Sequence, residues 1–499
     1  MGAAVTDIDW IARAQNLQAP QSLFIDGSEC AAVGGGTRTI HAPRNGRAIT
    51  DLAWADAADA DAAVAAARRA FDEGPWPRMK AAQRGRILQD VARALEERRA
   101  DIALLIALEM GKPISDCYDI ELRALIRNVQ FYGELADKIN GEIVPTTADQ
   151  LGLVTREPRG VVAAVVPWNF PLTIGSWKFA PALAAGCTVV LKTAEQSPLS
   201  MQLVAQIATE AGLPPGVLNV LSGEGTVVGR ALGLHEDVDV LTFTGSTAVG
   251  RHFLRYSADS NLKRVQLELG GKSPNVIFAD APDLDEAAAM AAWAIFFNSG
   301  EMCTAGSRLV VEDSVADQVI EKVVAHAASW VPDDPLLSTT KMGPLVDDRS
   351  LDRVLQQLEE GVSAGARIVT GGQRVRVDSG GAYLAPTVVD ALTCDNVLVR
   401  EELFAPVLSV QRFTDEADAV RLAGDTPYGL AAGLWTSDLG RAHRVAKQLR
   451  AGTVWVNCYE DGDVTVPFGG MKLSGFGRDK SAHAIDEYTD LKTTWVNHG

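Results

Sequence analysis

Between residues 161 and 457 the chain alternates short β-branched runs with longer amphipathic stretches, and this alternation limits the possible folds more than any other feature. VVAAVV (161–166), TVVL (188–191), VLNVL (217–221), DVLTF (239–243), RVQLEL (264–269) and NVIF (275–278) read as strands. Helical spacing fills the gaps near 176–185, 199–212, 226–234 and 247–257. A second series follows, with strands LVVE (309–312), RIVTG (367–371), VLSVQRF (407–413), AAGLWT (431–436) and TVWVN (453–457). Its helices lie near 283–298, 314–330, 348–363, 415–423 and 438–450. Connections of this length force neighbouring strands parallel, with helices over both faces of the sheet. The pattern predicts an α/β fold with two parallel-sheet units. Upstream, helices are predicted over 56–72, 82–110 and 116–139; Gly111 and Pro113 stop the second of these.

Composition narrows the function. The 499 residues carry 46 Lys+Arg against 64 Asp+Glu, a net charge of −18. A surface this acidic repels phosphate backbones, so nucleic acid is not the expected partner. No run reaches the length of a membrane span, and the first residues lack the basic and apolar regions of a secretory signal. A cytoplasmic protein with no membrane partner is expected. Gly2 and Thr6 fit a short acylation pattern of the kind that recurs by chance. The cysteines, Cys30, Cys117, Cys187, Cys303, Cys394 and Cys458, are far apart and form no CxxC pair. Reduced thiols are expected, and no metal-ligand spacing is visible.

Five local patterns carry chemistry. Cys303 lies in FNSGEMCTAGSR (297–308), among small and polar residues just past a helix, where amide donors can stabilise a thiolate. Glu268, in ELGGKSP (268–274), ends an apolar strand, and a carboxylate buried there has the raised pKa of a general base. The Gly-Lys-Ser beside it is not a P-loop, because Gln266 stands where the first glycine belongs. Asn169, in PWNFP (167–171), is held between prolines directly after a strand and can donate to an oxyanion. FTGSTAVG (243–250) is a strand–glycine–helix junction suited to a pyrophosphate. Lys192 and Glu195 sit at the next crossover; an acid there binds ribose hydroxyls and repels a 2′-phosphate, favouring NAD over NADP.

Together these motifs, with EELFAPV (401–407) and PFGGMKLSGFGRD (467–479), resemble the aldehyde dehydrogenase superfamily from about Leu23 to the C-terminus. The resemblance implies a cofactor domain (1–140 and 160–269), a catalytic domain (270–470) and a small oligomerisation element (141–159 and 486–499) that makes a homodimer or homotetramer. It makes Cys303 the nucleophile, Glu268 the base, Asn169 an oxyanion donor and Lys178 part of a proton relay. NAD would be held by Pro167, Trp168, Lys192, Glu195, Gly225, Phe243, Gly245, Ser246, Glu402 and Phe404, with no metal. Phe170, Trp177, Met302, Thr304 and Phe468 would line the substrate path. The chain departs from the family pattern at Thr193, Leu269, Ser299, Glu301, Met302 and Ala405. Ala482 stands where some members carry a second glutamate near Lys178. A CoA-acylating relative lacks the deacylating glutamate, so Glu268 argues for a carboxylate product. Loss of Cys303, Glu268 or Asn169 would point instead to a silent binding homologue, and all three are present.

Finer likeness, carried by DSNLKRV (259–265), DGDVTVPF (461–468), GRDKS (477–481) and Trp10, is to bacterial aminoaldehyde dehydrogenases of the γ-glutamyl-γ-aminobutyraldehyde and 4-guanidinobutyraldehyde type. It implies an aminoaldehyde from polyamine breakdown, putrescine included. Asp461 and Asp463 would lie at the substrate entrance, where acids attract a cationic end. Asp119 and Glu121 lie in the matching second entrance helix. The alternative is a broad aliphatic or semialdehyde dehydrogenase.

Overall fold

The computed structural model describes residues 4–499, so Gly2 of the acylation pattern lies outside the described residues. Among these, the longest sheet has eight strands. Its centre is five parallel strands in the spatial order Arg264–Leu269, Val240–Gly245, Val161–Val165, Thr188–Lys192, Leu218–Leu221. The three strands Val161–Val165, Thr188–Lys192 and Leu218–Leu221 run one way from the middle, and the other two run back from it. The order therefore reverses between Val161–Val165 and Val240–Gly245. A sheet of this kind opens a ligand crevice at that reversal, beyond the carboxyl ends of the strands. PWNFP follows the first of these strands, and Gly245 ends the second.

A seven-stranded sheet is the second layer system, in the order Arg367–Thr370, Thr387–Asp390, Val407–Phe413, Arg308–Glu312, Pro274–Ile277, Ala431–Trp435, Thr453–Val456. All its neighbours pair parallel except the first two strands. The chain passes from one sheet to the other through four residues, Gly270 to Ser273. Glu268 and the lip of the second sheet are thus covalent neighbours. Three of the central strands, Val161–Val165, Thr188–Lys192 and Leu218–Leu221, are buried at every position, which explains their largely apolar spelling.

Near its end the chain returns to the first sheet, where Gly475–Phe476 pairs antiparallel with Leu267 and Glu268. The last strand, Thr489–Asn497, pairs with Gln150–Pro158, which also pairs with Glu142–Val144. The helix expected over 82–110 is two helices, Ala81–Glu97 and Arg99–Met110. Arg98 between them leaves helical geometry at φ −101° and ψ 14°. No helix among the described residues is long and apolar enough to cross a membrane.

Candidate active site

Cys303 owes its position to the end of helix Leu284–Phe296. Asp283 caps the start of that helix through the Asp285 and Glu286 amides. At its far end Asn298, Ser299 and Gly300 are all left-handed, at φ 50°, 56° and 71°. Two non-glycine residues in succession there are strained and need outside support. Asn298 supplies it by donating to the Glu301 carbonyl at 3.1 Å and the Asn169 carbonyl at 3.4 Å, while Ser299 donates to the Gly343 carbonyl at 3.0 Å. A Cβ at Gly300 would collide with the Ala405 backbone, so the turn fits closely against the second sheet. The sequence reading did not single out Asn298, which ties the cysteine loop to the oxyanion candidate.

Asn169 is buried, and its side-chain amide donates to the Glu301 carbonyl at 2.9 Å. One N–H remains for a ligand. Asn169 and Cys303 both line a cavity of about 260 Å³ with Pro167, Trp168, Gly245, Ser246, Glu402 and Phe404. The cavity sits at the strand-order reversal, where the first sheet places ligands. Burial raises the Cys303 thiol pKa far above the ordinary value, and Glu460, Glu402 and Glu268 raise it further. Anything that offsets the surrounding negative charge favours the reactive thiolate.

The cavity fits a dinucleotide on several counts. Ser246 accepts from the Val249 amide to cap helix Thr247–Ala258, and it lines the cavity, so the positive end of that helix borders it. A Cβ at Gly270 would collide with the Glu402 carboxylate. Glu402 accepts from the Gly271 amide at 2.9 Å, and burial pushes its pKa up to about 7. Phe404 is left-handed at φ 54° and meets Trp168 edge-on at 5.4 Å. Lys192, Glu195 and Gly225 come together outside this cavity: the Gly225 amide donates to Glu195 Oε1 at 2.5 Å, and Lys192 Nζ is 3.4 Å from the same oxygen. Phe243 does not line the cavity. Its ring is buried against Phe253 at 4.9 Å and lies beneath Gly245, so it supports the turn.

Glu268 is 2% exposed, and neither carboxylate oxygen makes a hydrogen bond of ordinary geometry. Burial, then Asp479, hold its pKa well above the usual carboxylate range; Lys178, Arg478 and the Gly470 amide oppose them more weakly. A buried, unpaired carboxylate with a raised pKa has the properties of a general base. The acid facing Lys178 is Asp479, at 2.6 Å, with both side chains fully buried. Asp479 also accepts from Gln266 at 3.2 Å. Lys178, Asp479 and Glu268 form one buried electrostatic group reaching inward from Cys303.

The substrate-side residues divide into two sets. Trp177 and Phe468 pack with ring centres 4.9 Å apart, and Phe170 meets Phe297 at 6.3 Å. Met302 and Thr304 are buried on either side of the thiol. Glu121 is fully buried on Lys112 and caps helix Pro171–Ala185 through the Leu172 amide. It is structural, whereas Asp119 is exposed. Asp461 and Asp463 are exposed, and their carboxylates serve their own turn, accepting from the Gly462 amide at 2.8 Å and the Thr465 amide at 2.9 Å.

Comparison with known proteins agrees with this geometry. The model described as "Aldehyde dehydrogenase family" matches residues 32–494. The chain is similar to the NADP/NAD-dependent aldehyde dehydrogenase PuuC of Escherichia coli (strain K12), at 44% identity over 98% of each chain. Several solved structures are 50% identical, among them the following two. The gamma-glutamyl-gamma-aminobutyraldehyde dehydrogenase from Burkholderia cenocepacia J2315 has TM-score 0.97 and covers 100% of both chains. An indole-3-acetaldehyde dehydrogenase solved with NAD+ has TM-score 0.98, covering 99% of this chain and 100% of that one.

Proposed function

The chain belongs to the aldehyde dehydrogenase family, and from that premise we propose that it oxidises aminoaldehydes of polyamine breakdown to carboxylates with NAD. The buried Glu268 carboxylate beside the Cys303 cavity carries the chemical reading, because deacylation by water requires such a base. Cys303, as thiolate, attacks the aldehyde carbon. The alkoxide that forms is held by the free N–H of Asn169 and the Cys303 amide. Gly245, Ser246, Glu402 and Phe404 would hold NAD against this cavity, and when bound it would supply the hydride acceptor that takes the thiohemiacetal to a thioester. Glu268 takes a proton from water as the water attacks the thioester carbonyl. The C–S bond breaks, and the acid leaves with the water oxygen. Lys178 and Asp479 hold the charge of the relay behind Glu268.

In this reading the first sheet with its helices is the cofactor domain and the second the catalytic domain. Glu195, anchored on Gly225, favours NAD by repelling a 2′-phosphate. Glu195→Ser is expected to lower the NAD-over-NADP ratio of kcat/KM by at least about tenfold, or about 1.4 kcal/mol. An unchanged ratio removes that role. A cytoplasmic setting is supported by six free thiols. A homodimer or homotetramer is supported by apolar residues left exposed on the three-stranded sheet, among them Ile143, Leu491 and Trp495.

The similar proteins include one that acts on a γ-glutamyl aminoaldehyde and one on an aromatic aldehyde. The aromatic pair Trp177 and Phe468 suits the second as well. NADH formation with 4-aminobutanal, its γ-glutamyl form, 4-guanidinobutanal, hexanal and indole-3-acetaldehyde separates the readings. The proposal predicts a nitrogen-bearing aliphatic aldehyde ahead of hexanal by more than about tenfold in kcat/KM, about 1.4 kcal/mol of transition-state discrimination. A flat profile, or hexanal or the indole ahead, removes the polyamine assignment and leaves the dehydrogenase chemistry in place.

A further inference from the structure

Glu460 is a carboxylate that no sequence motif singled out, and the fold holds it in an unfavourable backbone state. Its φ is 58°, a left-handed value that non-glycine residues adopt only where surrounding structure enforces it. The enforcement comes from both sides. Tyr459 is buried, and its hydroxyl donates to the Thr304 carbonyl at 2.8 Å, one residue past the nucleophile. The Asp461 carbonyl accepts from the Trp455 indole at 2.7 Å. Between these anchors Glu460 Oε1 is buried with no hydrogen-bond partner. The Thr304 side chain steadies the charged form, which burial opposes. A buried acceptor left unpaired is costly, and the Thr304 contacts of Tyr459 and Glu460 bring this one to the residue that follows Cys303.

The cations nearby are already shared. Lys178 is committed to Asp479. Lys480 lies 5.8 Å from the Trp177 ring centre and answers Glu460, Asp463 and Asp479, while Arg127 also faces Asp463. Lys480 is thus shared among three carboxylates and is not a dedicated partner of Glu460.

We propose that Glu460 is a specificity-determining residue that binds the ammonium or guanidinium end of an aldehyde whose carbonyl carbon lies at Cys303. The inference rests on the aminoaldehyde reading above and moves the acid of recognition from Asp461 and Asp463 to Glu460. A cationic end supplies the missing donor and the opposing charge, while an alkyl end leaves the carboxylate buried and unpaired. Proximity to the thiol favours short-chain substrates. Glu460 also raises the Cys303 thiol pKa more than Glu402 or Glu268 does. A bound cation offsets that field and eases thiolate formation, so recognition acts on kcat as well as KM.

The test compares kcat/KM for 3-aminopropanal and butanal in the wild type, Glu460→Gln and Glu460→Asp, together with the pH profile of Cys303 alkylation by iodoacetamide. The wild type is expected to prefer 3-aminopropanal. Glu460→Gln is expected to reduce that preference at least about tenfold and to move the alkylation profile to lower pH. Glu460→Asp, which keeps the charge but withdraws it, is expected to retain a preference for the amine with 4-aminobutanal gaining on 3-aminopropanal. A preference that survives Glu460→Gln, or an alkylation profile that does not move, overturns the role of Glu460 alone. A wild type that does not prefer the amine overturns the aminoaldehyde reading itself.

Discussion

Replacing Cys303 by alanine is expected to reduce NADH formation from any aldehyde by at least about 10⁴-fold, roughly 5.5 kcal/mol of transition-state stabilisation. None of the other cysteines lines the cavity, so none is placed to substitute. The loss should be confined to chemistry. Alanine removes one sulfur from a half-buried position and leaves the strained Asn298–Gly300 turn and its hydrogen bonds in place. Cofactor binding is the internal control. NAD at about a hundred times its dissociation constant should still stabilise the variant by about 2.7 kcal/mol, read as a rise in melting temperature. Loss of both turnover and this shift would mean that the variant had lost its fold.

The second large effect is on stability. Lys178 and Asp479 are both fully buried and pair across 301 positions of sequence. Lys178→Met leaves Asp479 charged, dry and close to Glu268, which is itself unpaired. Breaking a buried pair from one side costs about 3–5 kcal/mol. The sign of the pH dependence follows. Without its lysine the folded-state pKa of Asp479, already raised by burial, rises further above the unfolded value. The folded variant then binds more protons than the unfolded chain, so its stability falls as pH rises through that window. The destabilisation should be larger at pH 8 than at pH 5. The double variant Lys178→Met/Asp479→Leu should recover part of the loss by removing the stranded charge. A single variant as stable as wild type at pH 8 would show that the pair is not tightly coupled.

The core of the fold was legible where burial is complete. The run Val161–Val165 is spelled wholly in β-branched and apolar residues because helices cover it, and its bounds agree to within a residue. Strand Thr387–Asp390 escaped notice, being four residues long after a proline. The N-terminal strands Ser28–Cys30 and Thr37–His41 are largely exposed and so carry no apolar pattern. The break at Arg98 leaves no mark in a sequence that is helical in composition on both sides.

Within the site, local motifs were informative and distant partners were not. Cys303, Asn169, Gly245, Ser246, Glu402 and Phe404 each sit in a recognisable stretch, and the structure places them around one cavity. Asp479 and Glu460 have roles only through residues far away in the chain, namely Lys178, Thr304 and Cys303. Asp461 and Asp463 stood out as a pair of acids, yet their carboxylates hold a turn together. The more consequential acid is their neighbour, distinguished by a left-handed backbone that no composition reveals.

A thioester on Cys303 that Glu268 clears is the step on which turnover depends, and Glu268→Gln tests it most directly. The amide keeps the shape of the side chain and cannot take a proton from water. Mixed with aldehyde and NAD, this variant should release about one NADH per active site in a burst and then stall, as covalent catalysis with blocked deacylation requires. Mass spectrometry of the stalled protein should find the acyl group of the substrate on the peptide carrying Cys303. Steady turnover with no burst, or an acyl group on a different residue, would contradict the account.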